Sequence, residues 1–261
     1  MRLWVVSRRS CIVALSLLLV VVLGVFVVKN AAISASVKQK DLPIYCVDKG
    51  EEKIASISFD AAWGNEDTEQ LIEILEKYDV KATFFVVGEW VDKYPESVKQ
   101  LSDAGHEVMN HSNTHPHMPK LSKEKMREEL TECSNKIEAV TGVKPILFRA
   151  PYGDYNNEVV GTMRECGCYT IQWDVDSLDW KDLSAAEITK RVTEKIKPGS
   201  IVLFHNAAKH TPEALPGILE KLKSDGYKIV PISQLIYADN YSIDNEGRQH
   251  LNEGAGGTSQ E

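Results

Sequence analysis

The chain has 261 residues, a formal net charge of −8 at neutral pH and 43% hydrophobic residues, which suits one domain with tails. The first 30 residues carry +4, so the remainder carries −12. This acidic balance argues against a nucleic acid partner, because phosphate backbones call for a basic surface.

The first predicted element is the apolar run from Cys11 to Val28, which holds 18 residues without a charge. It lacks polar positions at a helical period and is just long enough to cross a bilayer. Three arginines precede it, so the positive-inside rule predicts a single-pass anchor with the following domain outside the cytoplasm. A cleaved signal peptide is the alternative, since small residues follow the run, but the length of the run favours an uncleaved anchor.

Composition divides the chain into four parts. Residues 1–30 are predicted to form the cytoplasmic N-terminus and the anchor helix, and residues 31–50 a polar linker. Residues 51–238 carry all the alternating apolar patterns and are predicted to be the folded domain. Residues 239–261 are rich in Asn, Gly, Glu and Ser, which predicts a disordered tail.

Four cysteines follow the anchor: Cys46, Cys133, Cys166 and Cys168. Outside the cytoplasm they permit three disulfide pairings, and the spacing of the last two does not match a zinc-binding C-x2-C motif. Buried free thiols are the simpler interpretation.

Strand-like and helix-like segments alternate through the domain. Seven segments are predicted strands: Ile54–Phe59, Ala82–Val87, His106–Met109, Ile146–Phe148, Tyr169–Trp173, Ser200–Phe204 and Tyr227–Val230. Six are predicted helices: Thr68–Tyr78, Glu96–Ala104, Ser122–Thr141, Asn156–Cys166, Ala185–Ile196 and Pro212–Lys223. Ser184 and Glu187 form a capping box at the start of the fifth helix. The alternation predicts a parallel sheet, either open and doubly wound or closed into a barrel. No glycine-rich phosphate loop occurs, so no nucleotide cofactor is predicted.

Chemically active side chains follow five of the predicted strands. They are Asp60, His111, Arg149, Asp174 and His205. The carboxyl ends of parallel strands meet at one edge of the sheet, where such folds build their sites. The sequence therefore predicts one site at this edge.

His111 and His115 are spaced i, i+4, which on a helical turn would bring both imidazoles to one side. Such a pair at a strand end is typical of metal ligands, although histidines more often pack or cap loops.

Five segments together resemble the NodB-homology polysaccharide deacetylases, carbohydrate esterase family four. In order they are Ser58–Asp60, His111–His115, Arg149–Tyr152, Asp174–Trp180 and Leu203–His205. The resemblance covers about residues 50–238, and the stretch Phe59–Gly64 is more narrowly similar to sporulation deacetylases of the PdaB type. The family implies a distorted (β/α)7 barrel, here preceded by one N-terminal transmembrane helix.

The resemblance also implies residue roles for removal of an N-acetyl group from a hexosamine. Asp60 would be the general base and Arg149 would orient it. His205 would be the general acid, aligned and kept protonated by Asp179. The alternatives are structural: Asp60 as a loop cap and Arg149 as an ion-pair residue. Asp174 and Asp176 are interpreted as loop caps.

The same resemblance implies that His111 and His115 hold a divalent metal, zinc by preference. It also implies a substrate-binding group formed by Tyr152, through its backbone N–H, and by Trp173, Trp180 and Leu203 around the acetyl methyl. The two tryptophans could equally be ordinary core residues.

One position departs from the family pattern. Two adjacent aspartates are usual, one a base and one a metal ligand, but Ala61 stands at the second position. Two histidines lack the third protein ligand of a catalytic zinc, for which Glu66, Asp67 or water would have to substitute. A weaker site, a different metal and no metal all stay open.

Two functions are therefore weighed. The first is an extracytoplasmic N-deacetylase of peptidoglycan or a related wall or spore glycan, attached to the membrane by its N-terminal helix. The second is a barrel that binds such a glycan without turnover. The matched acid and base favour the first hypothesis, and Ala61 favours the second.

Overall fold

The computed structural model describes residues 40–252. The predicted anchor helix and residues 31–39 of the predicted linker lie outside these residues. Within residues 40–252, no helix combines the length and the apolar character needed to span a membrane. Residues 41–252 belong to one compact unit, so the second half of the predicted linker is part of the folded domain.

Eleven short strands are described. They are β1 Cys46–Val47, β2 Ile54–Ala61, β3 Thr83–Val86, β4 Glu107–Asn110, β5 Leu147–Phe148, β6 Tyr169–Thr170, β7 Val175–Asp176, β8 Ile201–His205, β9 Lys228–Ile229, β10 Tyr241–Ile243 and β11 Arg248–Leu251. All seven predicted strands are confirmed, as β2 to β6, β8 and β9. The sequence analysis missed β7, because two residues in an acidic stretch carry no readable alternation.

Eight α-helices connect or follow these strands. They are α1 Thr68–Lys77, α2 Gly88–Lys93, α3 Pro95–Asp103, α4 Lys123–Thr141, α5 Asn157–Glu165, α6 Ala185–Lys195, α7 Thr211–Ser224 and α8 Ile232–Leu235. The six predicted helices are confirmed within two residues at each end. The capping box at Ser184 and Glu187 is also present. The two missed helices, α2 and α8, are too short for a helical period to show.

Eight strands form a parallel sheet in the order β6-β5-β4-β3-β2-β8-β7, with β9 paired to the start of β2. This is a half-barrel of parallel strands, because no ladder joins β6 to β7 among the described residues. The segment before β1 lies near this gap: Ile44 bridges to Ile171 and Cys46 bridges to Ser200. The half-barrel agrees with the distorted (β/α) barrel that the family resemblance implies, and an eighth strand, the short β7, joins the seven predicted ones.

Alternation along β2 separates an outer core from the site. Ile57 and Phe59 pack into the apolar cluster between sheet and helices, where Phe59 stacks on Phe84 with ring centroids 4.7 Å apart. Ser58 and Asp60 face the other side of the sheet, because successive side chains of a strand point in opposite directions. A second cluster, which includes Phe85 and Met109, fills that inner side.

The C-terminal segment corrects another expectation. Instead of a disordered tail from residue 239, β10 and β11 form a hairpin, and β11 pairs with β1 in a separate three-stranded sheet. Gln249 is fully buried and exchanges two hydrogen bonds with the backbone of Tyr237. Composition suggested disorder because the segment is polar, yet its backbone partners lie some 200 residues earlier in the chain.

The four cysteines of the described region are free. Cys46 and Cys133 are buried, and Cys166 and Cys168 are half-buried. The interpretation as free thiols is confirmed, and none of the three possible pairings forms.

Candidate active site

Parallel strands bring their carboxyl ends to one edge of the half-barrel, where the structure has a cavity of about 440 Å³. The predicted base, acid and metal ligands all line it: Asp60, His111, His115 and His205. So do the four predicted substrate-binding residues, Tyr152, Trp173, Trp180 and Leu203. Arg149 and Asp179 do not line the cavity but lie buried behind Asp60 and His205.

Asp60, the penultimate residue of β2, is held by Arg149. Nη1 of Arg149 donates to Oδ1 of Asp60 over 2.7 Å, and the arginine has no exposed surface. Burial alone would raise the pKa of Asp60, but the positive charge and the hydrogen bond of Arg149 outweigh burial and lower the pKa. Asp60 is therefore a carboxylate at neutral pH, as a general base requires.

Arg149 in turn is fixed by its surroundings. Its backbone N–H donates to the carbonyl of Asn110, and Nη2 donates to the carbonyl of Gln172. The guanidinium lies over the Phe85 ring, 4.1 Å from its centroid. The cation is thus sandwiched by apolar contacts and can interact with one carboxylate only, which fixes the orientation of Asp60.

His205 ends β8 and is paired with Asp179. Their side chains meet at 2.8 Å between Nδ1 and Oδ1, and Oδ2 of Asp179 accepts from the backbone N–H of His205 and from Oγ1 of Thr211. Burial would lower the pKa of His205, but its hydrogen bond and ion pair with Asp179 raise it. Nδ1 donates to the carboxylate, so Nε2 is the nitrogen left to give a proton in the cavity.

His111 and His115 meet, but not on a helical turn. Their ring centroids lie 5.1 Å apart, and residues 111–117 form a loop. Positive φ angles of 68° at Ser112 and 59° at His115 turn the backbone so that the rings approach each other. The predicted proximity is confirmed, while the predicted helical turn is wrong.

The imidazole of His111 is orientated by a backbone acceptor. Nδ1 lies 2.8 Å from the carbonyl of Arg149, so it carries the proton and Nε2 keeps its lone pair. Nε2 lies 3.5 Å from Oδ2 of Asp60. Burial lowers the pKa of His111, and burial together with His111 lowers the pKa of His115 to about 4. Both rings are neutral at pH 7, as metal ligands must be.

The donors needed for a metal are nonetheless incomplete. Within residues 40–252, no group of three or more His, Cys, Asp or Glu side chains is arranged to hold an ion. Ala61 is buried in the outer apolar cluster and offers no oxygen. Asp67 accepts from the backbone N–H of Ala207 and Glu66 is exposed, so neither completes the histidine pair. The side chains present do not fit a three-ligand zinc centre.

Tyr152 also lines the cavity, and its φ of 61° lies in the left-handed region. Its ring stacks on His117 at 4.3 Å and meets His115 edge-on at 4.5 Å. His117 is bonded to Asp154, with 2.9 Å between Nδ1 and Oδ2. The neighbouring Gly153 is required, because a Cβ there would lie 2.9 Å from the ring of Trp173. Tight packing therefore fixes the loop that carries Tyr152.

Two aspartates of the fourth motif, Asp174 and Asp176, have different roles. Asp174 accepts from Oγ of Ser200 and from the backbone N–H of Ile201, each at 2.8 Å, as expected of a loop cap. Asp176 also accepts from a backbone N–H, that of Leu178, but it lines the cavity as well. Interpretation as a loop cap alone missed its position at the site.

The sequence analysis also missed Trp63 and Asn206. Trp63 lines the cavity, and Asn206 ties the loop after β2 to the loop after β8 by accepting from the N–H of Ala62. Trp63 lies within the stretch Phe59–Gly64, and Asn206 directly follows His205, so their places in or beside the motifs were the only signal in the sequence.

Comparison with known proteins identifies the family. The sequence profile described as Polysaccharide deacetylase matches residues 48–171. A peptidoglycan-N-acetylglucosamine deacetylase of Bacillus cereus is 35% identical over 190 residues, which cover 71% of this chain and 89% of that protein. The chain belongs to the polysaccharide deacetylase family.

Other members of the family differ in what is known of them. The uncharacterized protein YlxY of Bacillus subtilis is 35% identical over 74% of this chain and 60% of its own length. The solved structure of BA3943 from Bacillus anthracis, a CE4 family pseudoenzyme, is 40% identical with a TM-score of 0.72, covering 80% of this chain and 72% of that chain. A mutant of BA3943 is described as having restored enzymatic activity. The chain spans 39% to 60% of the length of the first three curated relatives.

Proposed function

We propose that this deacetylase-family chain hydrolyses N-acetyl groups of amino sugars in peptidoglycan or a related wall or spore glycan. The observation that carries the proposal is the matched pair at the cavity. Arg149 lowers the pKa of Asp60, which favours the ionised base, and Asp179 raises the pKa of His205, which favours the protonated acid. A protein that only binds a glycan needs neither arrangement.

The reaction follows from these two groups. Asp60 takes a proton from a water molecule, whose oxygen attacks the carbonyl carbon of the N-acetyl amide. The carbon–nitrogen bond then breaks as Nε2 of His205 delivers its proton to the leaving nitrogen. The products are the free amine of the sugar and acetic acid, which releases its remaining proton to solvent and becomes acetate. Asp60 has gained the proton lost by water and the nitrogen has gained the proton lost by His205, so return of a proton from Asp60 to His205 resets the site.

The acetyl group has a defined place beside these residues. Trp173 and Leu203 line the same cavity as Asp60 and offer apolar surface to a methyl group. Tyr152 lines the same cavity. The family resemblance assigns its backbone N–H to stabilising the oxyanion of the tetrahedral intermediate. No step is derived through a metal, because the donors around His111 and His115 are incomplete. A zinc ion on the two histidines stays a prediction.

A location outside the cytoplasm fits this substrate. The proposed anchor, the short linker and the resemblance to sporulation deacetylases of the PdaB type all agree with a wall or forespore glycan as the target. The B. cereus deacetylase, whose name specifies peptidoglycan N-acetylglucosamine, supports the same substrate class.

A second function has its own observation. Ala61 removes the family's third ligand, and the similar BA3943 is a pseudoenzyme. The competing proposal is a barrel that binds wall glycan without turnover.

The two functions are separated by acetate release. N-acetylglucosamine oligomers and peptidoglycan are incubated with the full chain, with and without Zn²⁺ or Co²⁺. The proposal predicts acetate release from wild type and a loss of about 10²- to 10⁴-fold in His205→Ala, with glycan binding retained. His210→Ala is the matched control, since His210 pairs with Glu213 and does not line the cavity. Binding by wild type without acetate under any metal would establish the second function.

A further inference from the structure

The loop Ala62–Gly64 is held unusually firmly by buried donors. Nδ2 of Asn206 donates to the carbonyls of Trp63 and Gly64, and Nε1 of Trp90 donates to the same two carbonyls. Asn206 and Trp90 are both buried. The two amide hydrogens of Asn206 and the single indole hydrogen of Trp90, shared between both carbonyls, therefore converge on two consecutive peptide groups and fix the backbone of this loop.

The side chain carried by this rigid backbone points outward. Trp63 is 58% exposed, although tryptophan usually buries most of its surface. Its only ring contact in the described structure is edge-on with His115, at 5.7 Å. An exposed aromatic side chain on a rigid backbone loses little conformational entropy when a ligand covers it.

Two cavities meet at this side chain. One is the 440 Å³ cavity of the acid–base site, and the other is a neighbouring groove of about 430 Å³. Ala62, Trp63 and His115 line both. A ligand that fills the first cavity can therefore continue past Trp63 into the second without leaving the surface.

The groove has the chemistry of a sugar subsite. The aromatic surface of its lining comes from Trp63 and the half-buried Tyr94, because Trp90 is almost fully buried. Glu89 and Lys93, on the first and last turns of α2, supply an acceptor and a donor. Opposite charges on the two side chains give the groove no net preference for an anion or a cation. A neutral ring with apolar C–H faces and peripheral hydroxyls matches this combination.

We infer that the groove binds the sugar adjacent to the reacting unit, with Trp63 packed against the face of that sugar. The site then takes an amino-sugar chain of at least two units in preference to a monosaccharide. This inference rests on the proposed function, because it assigns the acid–base cavity to the reacting N-acetyl sugar.

The test is calorimetric binding of N-acetylglucosamine and its tetramer to the full chain. We expect the tetramer to bind wild type about 10-fold more tightly than the monomer, and Trp63→Ala to remove most of that gain. Trp63→Phe should restore about half of it. Val143→Ala is the control, because Val143 is equally exposed, at 59%, and lines neither cavity.

A second variant guards against misfolding of the first. Glu89→Trp fills the groove from an exposed helical position and leaves the acid–base cavity untouched. It should also abolish the tetramer gain. Equal affinities for monomer and tetramer in wild type, or an unchanged gain in both variants, would overturn the inference.

Acetate release, measured in parallel, keeps this inference apart from the proposed function. Tetramer-selective binding without acetate would refute hydrolysis alone. Acetate release without tetramer selectivity would refute only the groove as a subsite.

Discussion

Nη1 of Arg149 lies 2.7 Å from Oδ1 of Asp60, inside a protein region where the arginine side chain has no solvent contact. The pair joins the end of β2 to the residue after β5. Among the described ion pairs, the only other partner of Asp60 is His111 at 3.5 Å, and that ring is neutral at pH 7. Asp60 therefore depends on Arg149 to stay ionised, and the buried guanidinium depends on Asp60 to balance its charge.

Replacing Arg149 by Met should destabilise the protein by about 3–5 kcal/mol, because the carboxylate of Asp60 is left buried without its partner. Urea denaturation at pH 7 measures this loss. Arg164→Met is the matched control: Arg164 pairs with Asp41 at the surface, 3.3 Å apart, and should cost less than about 1 kcal/mol. Adding Asp60→Asn to Arg149→Met should recover part of the stability. A loss no larger than that of the control would contradict a stabilising role for the pair.

The pH dependence of stability and of acetate release should reflect the ion pair between His205 and Asp179. The pKa of His205 is raised, so its protonated form contributes stability below pH 6.5 that disappears as the pH rises through the folded-state pKa. Acetate release should fall over the same range, because the general acid loses its proton. Asp179→Asn should move this alkaline limb to lower pH.

An NMR titration of the His205 ring checks the direction independently of turnover. Asp154→Asn is the control, since Asp154 pairs with His117 instead. If the alkaline limb of the pH profile does not move in Asp179→Asn, a group other than His205 is responsible for that limb.

Ala61→Asp tests the missing metal ligand. The new carboxylate would lie at a buried position among apolar neighbours, so the metal-free protein should lose about 1–3 kcal/mol. Zinc should bind this variant more tightly than wild type and restore its Tm, because binding to the folded state alone stabilises it. Acetate release should rise with zinc occupancy.

Ala61→Asn, of similar size but without the charge, should show the destabilisation without the zinc response. His111→Ala in the Ala61→Asp background should abolish the gain. Equal zinc affinities in wild type and Ala61→Asp would refute the assignment of this position as a ligand.

The C-terminal hairpin should matter for stability. Ending the chain at residue 240 removes the partners of the Tyr45 and Asp48 N–H groups and the buried Gln249. We expect the free energy of unfolding to fall by about 2 kcal/mol or more, since several buried polar groups lose their hydrogen bonds. Ending the chain at residue 252 is the control and should change nothing. Equal melting curves for the two truncations would show that the hairpin is dispensable.

The strand–helix alternation and the places of the chemically active side chains could be predicted from the amino-acid sequence alone. Apolar alternation in β2 and helical periodicity in α4 are local properties, readable before any contact is known. Because parallel strands end at one edge, the same pattern also placed Asp60, His111 and His205 together. Family motifs then assigned their roles. Eight of the ten predicted site residues line the cavity, and the other two, Arg149 and Asp179, lie buried behind it.

The loop conformations and the long-range strand pairing became visible only in the folded chain. The turn that joins His111 to His115 depends on two positive φ angles, and the hairpin depends on a partner strand nearly 200 residues away. Neither feature produces a periodic pattern in the sequence. The position of Trp63 beside the groove was equally unpredictable, because it depends on Asn206 from another loop and on Trp90 from α2. Local patterns record which face of an element is apolar, whereas long-range partners appear only when the chain has folded.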